Sequence, residues 1–220
     1  MNNIQTISVA GDIALAELDR LRAEYRSGGL YPILLGDADD KSRILENINE
    51  GDGHSEILDY SRKVDPHKWM EDRRRLDPDA YQDEEGTWPN RADKMGIVTH
   101  IDIRTRKPKC EVFIALLSLN SPWEAFAYLN WGGWNDCPEP AVHCAFHKYW
   151  AERHGAEVVS ITGDVVQCNV ARPPTDRAAS LALAREQYMY CYDIVAQGTE
   201  TIAALAAGLL NAHYWYFWWD

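Results

Sequence analysis

The sequence has no two cysteines spaced as CxxC, no long apolar run and no sizeable basic cluster, and each absence removes a class of protein. The five cysteines, Cys110, Cys137, Cys144, Cys168 and Cys191, offer neither a zinc ribbon nor a thioredoxin-type motif. Their odd number suits a reducing cytoplasm, the compartment expected here. The longest apolar stretches are far too short to span a bilayer. The start, Met1-Asn2-Asn3-Ile4, lacks the basic-then-apolar pattern of a signal peptide, so none is expected. Basic runs are limited to Arg73-Arg74-Arg75 and the stretch from Arg104 to Lys109, each set among acids. With a net charge of −12, neither nucleic acid nor an anionic membrane is an expected partner. There is no GxSxG elbow, no P-loop and no GxGxxG. Asp37-Ala38-Asp39-Asp40 lacks the glycine and closing glutamate of a calcium loop. No cofactor and no metal is expected, and no residue is assigned a catalytic role.

Aromatic residues and acids, by contrast, are plentiful. Nine Trp and eleven Tyr exceed ordinary usage and suit a core or an interface. Residues 1–95 hold 21 Asp/Glu against 13 Lys/Arg, and the remainder 13 against 9. The acidic surplus therefore concentrates in the first part. Solubility explains it, and so does attraction of a basic partner.

Hydrophobic spacing predicts helices through Ala14, Leu18, Leu21 and Tyr25, closed by Gly28-Gly29, and through Ile44, Leu45 and Ile48. Asp65-Pro66 and Asp77-Pro78 are helix starts. Leu30 to Leu35 reads as a short buried strand whose Pro32 places it at an edge or at the strand's start. Residues 83–94 look like a loop and boundary. Alternation over Ile97, Thr99, Ile101 and Ile103 predicts a half-buried strand, and Val112 to Leu117 a strand covered on both faces. Pro122 to Pro140 reads as a long ordered loop. A helix from Glu139 to His154 is expected to bury Val142, Ala145, Phe146, Tyr149 and Trp150. Thr162-Gly163-Asp164 joins two strands as a hairpin. Helices follow through Leu181, Ala184, Tyr188 and Cys191, with Thr175 as cap, and through Ile202, Leu205, Ala206 and Leu209, with Asn211 as stop. Tyr214 to Asp220 is expected in the middle of the sheet. The fold class is α/β (α+β): a mixed, largely antiparallel sheet of about five or six strands with helices on its faces. A helical acidic region, 1–95, packs on a core domain, 96–220.

The second half carries a set of motifs: Pro122-Trp123, Gly132-Gly133-Trp134-Asn135-Asp136-Cys137-Pro138, Thr162-Gly163-Asp164 and Ala171-Arg172-Pro173-Pro174. They continue with Ala184-Arg185-Glu186-Gln187-Tyr188, Asp193-Ile194-Val195, Gln197-Gly198 and Trp215-Tyr216-Phe217-Trp218-Trp219-Asp220. Together they resemble the bacterial domain-of-unknown-function family 4253 over roughly residues 108–220. The resemblance implies a bacterial setting and a compact C-terminal domain, and it implies no catalytic residues.

Three constellations bear chemistry. His143, His147 and His154 share an arc of about 40° on their helix. They read either as part of a metal site or as the polar flank of a surface helix, beside the apolar face. In the Gly132-Gly133-Trp134-Asn135-Asp136 loop the paired glycines allow positive φ or close approach, and Trp131 and Trp134 offer an apolar wall. It is a binding loop or a rigid plug. Arg172, Arg185, Glu186, Tyr188, Tyr190 and Asp193 form the third, with Arg172 at a strand end where a carboxylate or phosphate of a ligand, or internally Glu186 or Asp193, is its partner. The expected function is a binding protein of immunity or regulatory type that engages a basic protein such as a bacterial toxin. Asp37, Asp39, Asp40, Glu46, Glu50 and Asp52 would steer it, and Tyr60, Trp69 or Tyr81 would anchor it. The alternative is an enzyme or small-ligand binder with a pocket near Asn135, Arg172 and Asp193.

Overall fold

A computed structural model describes residues 4–50, 53–76, 78 and 85–220, with the side chains of residues 49 and 50 left out. The elements in chain order are β1 (Gln5–Val9), α1 (Ala14–Tyr25), β2 (Tyr31–Gly36), α2 (Ala38–Glu50), α3 (His54–Ser61) and α4 (Pro66–Leu76). Then come β3 (Ile101–Asp102), β4 (Lys107–Pro108), β5 (Val112–Leu117), α5 (Ala125–Leu129), α6 (Pro140–His154), β6 (Ala156–Ile161) and β7 (Val165–Val170). The chain finishes with α7 (Arg177–Tyr190), a π-helical turn (Ile194–Thr199), α8 (Ile202–Leu209) and β8 (Tyr214–Trp218).

Six strands form one mixed sheet in the order β1-β5-β2-β6-β7-β8. It consists of two antiparallel halves joined by one parallel contact, between β2 and β6, at Leu34 and Ser160. Ser160 reinforces that seam by donating its hydroxyl to the Leu34 carbonyl at 2.8 Å. Every residue of β2 is buried, and Pro32 sits at its second position, where the strand start tolerates a missing N–H. The 162–164 hairpin turn forms, with Thr162 N donating to the Val165 carbonyl at 2.9 Å.

Helix α1 covers one sheet face with Ala14, Leu18 and Leu21 against Leu34, Val112, Ile114 and Val159. The other face carries the main core, where α6 and α7 bring Phe146, Trp150 and Tyr190 against Trp215, Phe217 and Trp219. Among the described residues no helix is long and apolar enough to cross a membrane. The Asp65 start of α4 is as expected: its carboxylate accepts from the main-chain N–H of His67 at 2.9 Å. Asp77 and Tyr81 lie outside the described residues.

Four expectations are corrected. The segment around Ile97 and Thr99 is no strand; only Ile101–Asp102 pairs, with Lys107–Pro108. Its main chain is held instead by the fully buried Gln167 of β7, whose Oε1 accepts from Val98 N at 2.9 Å and whose Nε2 donates to Gly96 O at 2.8 Å. Within the 122–140 loop, Pro122–Glu124 forms a 3₁₀ turn leading into α5. Asp176, not Thr175, caps α7, accepting from Ala179 N at 2.9 Å. The aromatic β8 is an edge strand, paired with β7 alone. Trp219 N donates to Asp164 O and Val170 N to His213 O, so the main-chain groups of Tyr214, Tyr216 and Trp218 point away from the sheet. Both of its faces are aromatic because one packs on α6 while the other walls a cavity. Strand β1, which the sequence reading did not identify, forms the opposite edge.

Candidate functional site

Arg172, Asn135 and Asp193 do not share a pocket. Arg172 caps the C-terminal end of α6, donating to the carbonyls of Glu152 at 2.8 Å and Arg153 at 3.4 Å. That is the helix end where a cation is favoured. Helix α6 has 15 residues, about 20 Å, and the glycine loop lies at its other end. Asn135 and Asp193 do converge, but on main chain: Asn135 donates to the Asp220 carbonyl at 2.7 Å, and Asp193 accepts from Asp220 N at 3.0 Å.

The glycine loop is closely packed. Gly132 and Gly133 both have positive φ, and a Cβ on Gly132 would overlap the Pro138 carbonyl and the His143 ring. Trp131 is fully buried, donates to the Thr162 carbonyl at 2.7 Å and meets Trp134 edge-on at 4.8 Å. Asp136 is ion-paired with Arg73. Glu186 accepts from Tyr149 and Trp150, and Tyr190 is inaccessible.

The acidic cluster is partly engaged as well. Asp37 caps α2 through Asp39 N at 3.1 Å and holds Lys109 at 2.7 Å, while Asp40 accepts from Gly163 N at 3.1 Å. Asp39 and Glu46 are exposed. The Glu50 side chain and Asp52 lie outside the described residues. Of the anchors, Trp69 packs edge-on against Phe146 and Tyr60 is 66% exposed.

His143 and His147 are not a polar flank, whereas His154 is half-buried at the end of α6, its Nδ1 3.1 Å from the Arg172 carbonyl. His143 and His147 are fully buried at the centre of the α6 core face, with Phe126 against both rings. The helix presents Pro140, His143, Cys144, His147 and Trp150 inward, and its half-buried Val142 and Tyr149 lie beside that stripe. Imidazole polarity is tolerated because each ring nitrogen has a partner. The Tyr190 hydroxyl bonds His143 Nδ1 and lies 3.0 Å from His147 Nε2. Cys137 Sγ is 3.4 Å from His143 Nε2, and Cys168 Sγ is 3.6 Å from His147 Nδ1. Burial drives His147 down to about 3 and His143 well below the usual imidazole range. Among the described residues no three His, Cys, Asp or Glu side chains converge as metal ligands.

A candidate site lies at the free edge of β8. A cavity of about 440 Å³ opens between Tyr214, Tyr216 and Trp218 of that strand, Leu205 and Leu209 of α8, Ile194 of the π turn and Pro89 to Met95. Its volume falls in the small-molecule range. The walls are mostly apolar, and Arg91 and Asp93 at the edge pair with each other at 3.7 Å, both largely solvent-exposed. Gln187 of α7 and Trp215 of β8, each 1% exposed, also line it. Gln187 Nε2 and Trp215 Nε1 have no hydrogen-bond partner among the described residues. Burial of Tyr216 raises its hydroxyl to about 12, so it stays protonated near neutrality. The sequence reading missed Gln187. The available signal was a glutamine interrupting the apolar stripe of Leu183, Ala184 and Tyr188 on α7.

Fold and site together define an α/β domain whose mixed sheet ends in an aromatic edge strand beside a cavity. Residues 113–220 match the family model described as Domain of unknown function (DUF4253), so the C-terminal half of the chain is a domain of that family. No curated protein and no solved structure matches the chain. All cavity walls except the 89–95 segment fall within the matched half.

Proposed function

We propose that the protein is a binding protein for a small molecule, with the β8 cavity as its site. One observation carries this reading: a cavity of about 440 Å³, walled mainly by apolar and aromatic side chains, opens beside the free edge of β8. The test is titration with Nile red, a neutral polarity-sensitive dye, against the protein and a Gly208→Leu variant. Gly208 lines the cavity, and a Cβ there meets only Asp93 O, at 3.5 Å. Saturable one-to-one binding that is weakened in the variant supports the reading. Absence of binding, or equal binding by the variant, counts against it.

A second reading keeps the bacterial immunity or regulatory role in the cytoplasm, with a basic protein partner. Its support is a groove lined by Glu56, Asp59 and Glu139 together with the exposed Tyr60, which joins acidic steering to an aromatic anchor. Association there would slow steeply with added salt.

A further inference from the structure

Outside the lining of the β8 cavity the chain carries two exposed surfaces of opposite charge. Strands β3 and β4 form a hairpin that pairs with no other strand. Its residues 103–108 are all exposed, Ile103 at 81%. Local bonds fix the tip. Asp102 Oδ1 accepts from Arg104 N at 2.8 Å and from Thr105 N at 3.0 Å. Arg106, at φ 57°, donates its N–H to the Asp102 carbonyl at 2.7 Å. The base is tied to the rest of the chain at Lys109, whose carbonyl accepts from Gly11 N at 3.0 Å and whose ammonium pairs with Asp37 at 2.7 Å. Arg104, Arg106 and Lys107, by contrast, form no ion pair among the described residues. One aliphatic side chain and three free cations therefore stand on a preordered turn.

The groove at α3 and the start of α6 has the opposite character. Glu56, Asp59 and Glu139 line it with Ile57, Ala141 and the exposed Tyr60. Asp59 pairs with the neighbouring Arg62, whereas Glu56 and Glu139 form no ion pair among the described residues. Resting on the second reading above, which makes this groove a docking surface for a basic protein, we infer that the basic partner is the β3–β4 hairpin of a second copy of this chain. Charge complementarity selects it: the tip offers cations around one apolar side chain, and the groove offers carboxylates around apolar and aromatic walls. A phosphate backbone supplies the charge but no receptor for Ile103. A lipid surface supplies both, yet one aliphatic side chain falls far short of a single acyl chain, itself a marginal anchor. Each copy carries −12, so repulsion opposes the approach, but at physiological salt it is largely screened beyond about 8 Å while charges in contact are screened less. Six exposed residues are fewer than the roughly 20–30 per side of a stable interface, so the contact is reversible and depends on concentration. It is also head-to-tail, leaving a free hairpin on one copy and a free groove on the other, so association grows into a ring or a filament.

The test is sedimentation velocity of the full chain and of two variants. Ile103→Ser/Arg104→Ser/Arg106→Asn strips the hairpin tip, with asparagine chosen because it tolerates positive φ. Glu56→Lys/Glu139→Lys reverses the groove. All five side chains are exposed, so both variants should keep the circular dichroism spectrum of the parent. The average sedimentation coefficient of the parent should rise with protein concentration, and the rise should vanish in about 1 M salt. Each variant alone should stay at the monomer value. An equimolar mixture of the two should form a heterodimer and nothing larger, because the hairpin variant keeps its groove and the groove variant keeps its hairpin. A parent that stays monomeric, variants that associate as the parent does, or a mixture that stays monomeric overturns the inference. So does a monomeric parent that binds phosphatidylserine vesicles and loses them with the hairpin variant, which assigns the tip to lipid. Fluorescein-labelled pentaarginine reports on the groove alone. If the parent binds it and the groove variant does not, the groove reading stands even where self-association fails; equal binding by both removes the two together.

Discussion

The hydroxyl of Tyr190 lies 3.0 Å from Nε2 of His147, in an interior where both residues are fully buried. The same hydroxyl also bonds His143 Nδ1, and because it carries one proton the contacts can be ordered. The Pro138 carbonyl favours a proton on the neighbouring His143 Nε2. His143 Nδ1 then accepts from Tyr190, whose oxygen accepts from His147 Nε2–H, and His147 Nδ1 accepts from the Cys168 thiol. This tautomer assignment keeps every member neutral and satisfied.

Tyr190→Phe keeps the ring and deletes the link. Two imidazole nitrogens lose their partner at about 1–3 kcal/mol each. Urea unfolding should show a loss of roughly 2–6 kcal/mol with an unchanged slope. A loss below about 0.5 kcal/mol, the range of an ordinary surface change, would show that the chain contributes nothing.

Acid should destabilise the fold before carboxylates titrate. An unfolded histidine binds its proton near pH 6.5, whereas burial holds His143 and His147 below that value, His147 at about 3. Between these limits the unfolded state carries more protons, so stability falls as pH drops below about 6.5. Each histidine contributes up to roughly 1.4 kcal/mol per pH unit. Thermal unfolding followed from pH 7.5 to pH 5 should show a falling midpoint. A flat profile contradicts neutral burial of the pair.

Much of the sheet was legible in the sequence, because β2 and β5 are short apolar runs and Gly163-Asp164 is a local turn signal. Local patterning could not show what depends on distant partners. His143 and His147 looked polar because the residue that accommodates them, Tyr190, comes more than forty positions later. The Ile97 alternation imitated a strand, but Gln167 supplies its hydrogen bonds from across the sheet. Tyr214 to Trp218 carried aromatic residues on both faces and so read as central. Such a pattern marks equally an edge whose outer face walls a cavity. The Arg172 and Asp193 pairing failed because fifteen residues of α6 separate their ends of the domain.

The most direct test of the cavity assignment is hydrogen–deuterium exchange mass spectrometry of the full chain with and without saturating Nile red. The account predicts slowed exchange confined to residues 89–95, 194–209 and 214–218. Protection centred instead on α3 and the start of α6, around Tyr60 and Glu139, or no protection at saturation, would contradict it.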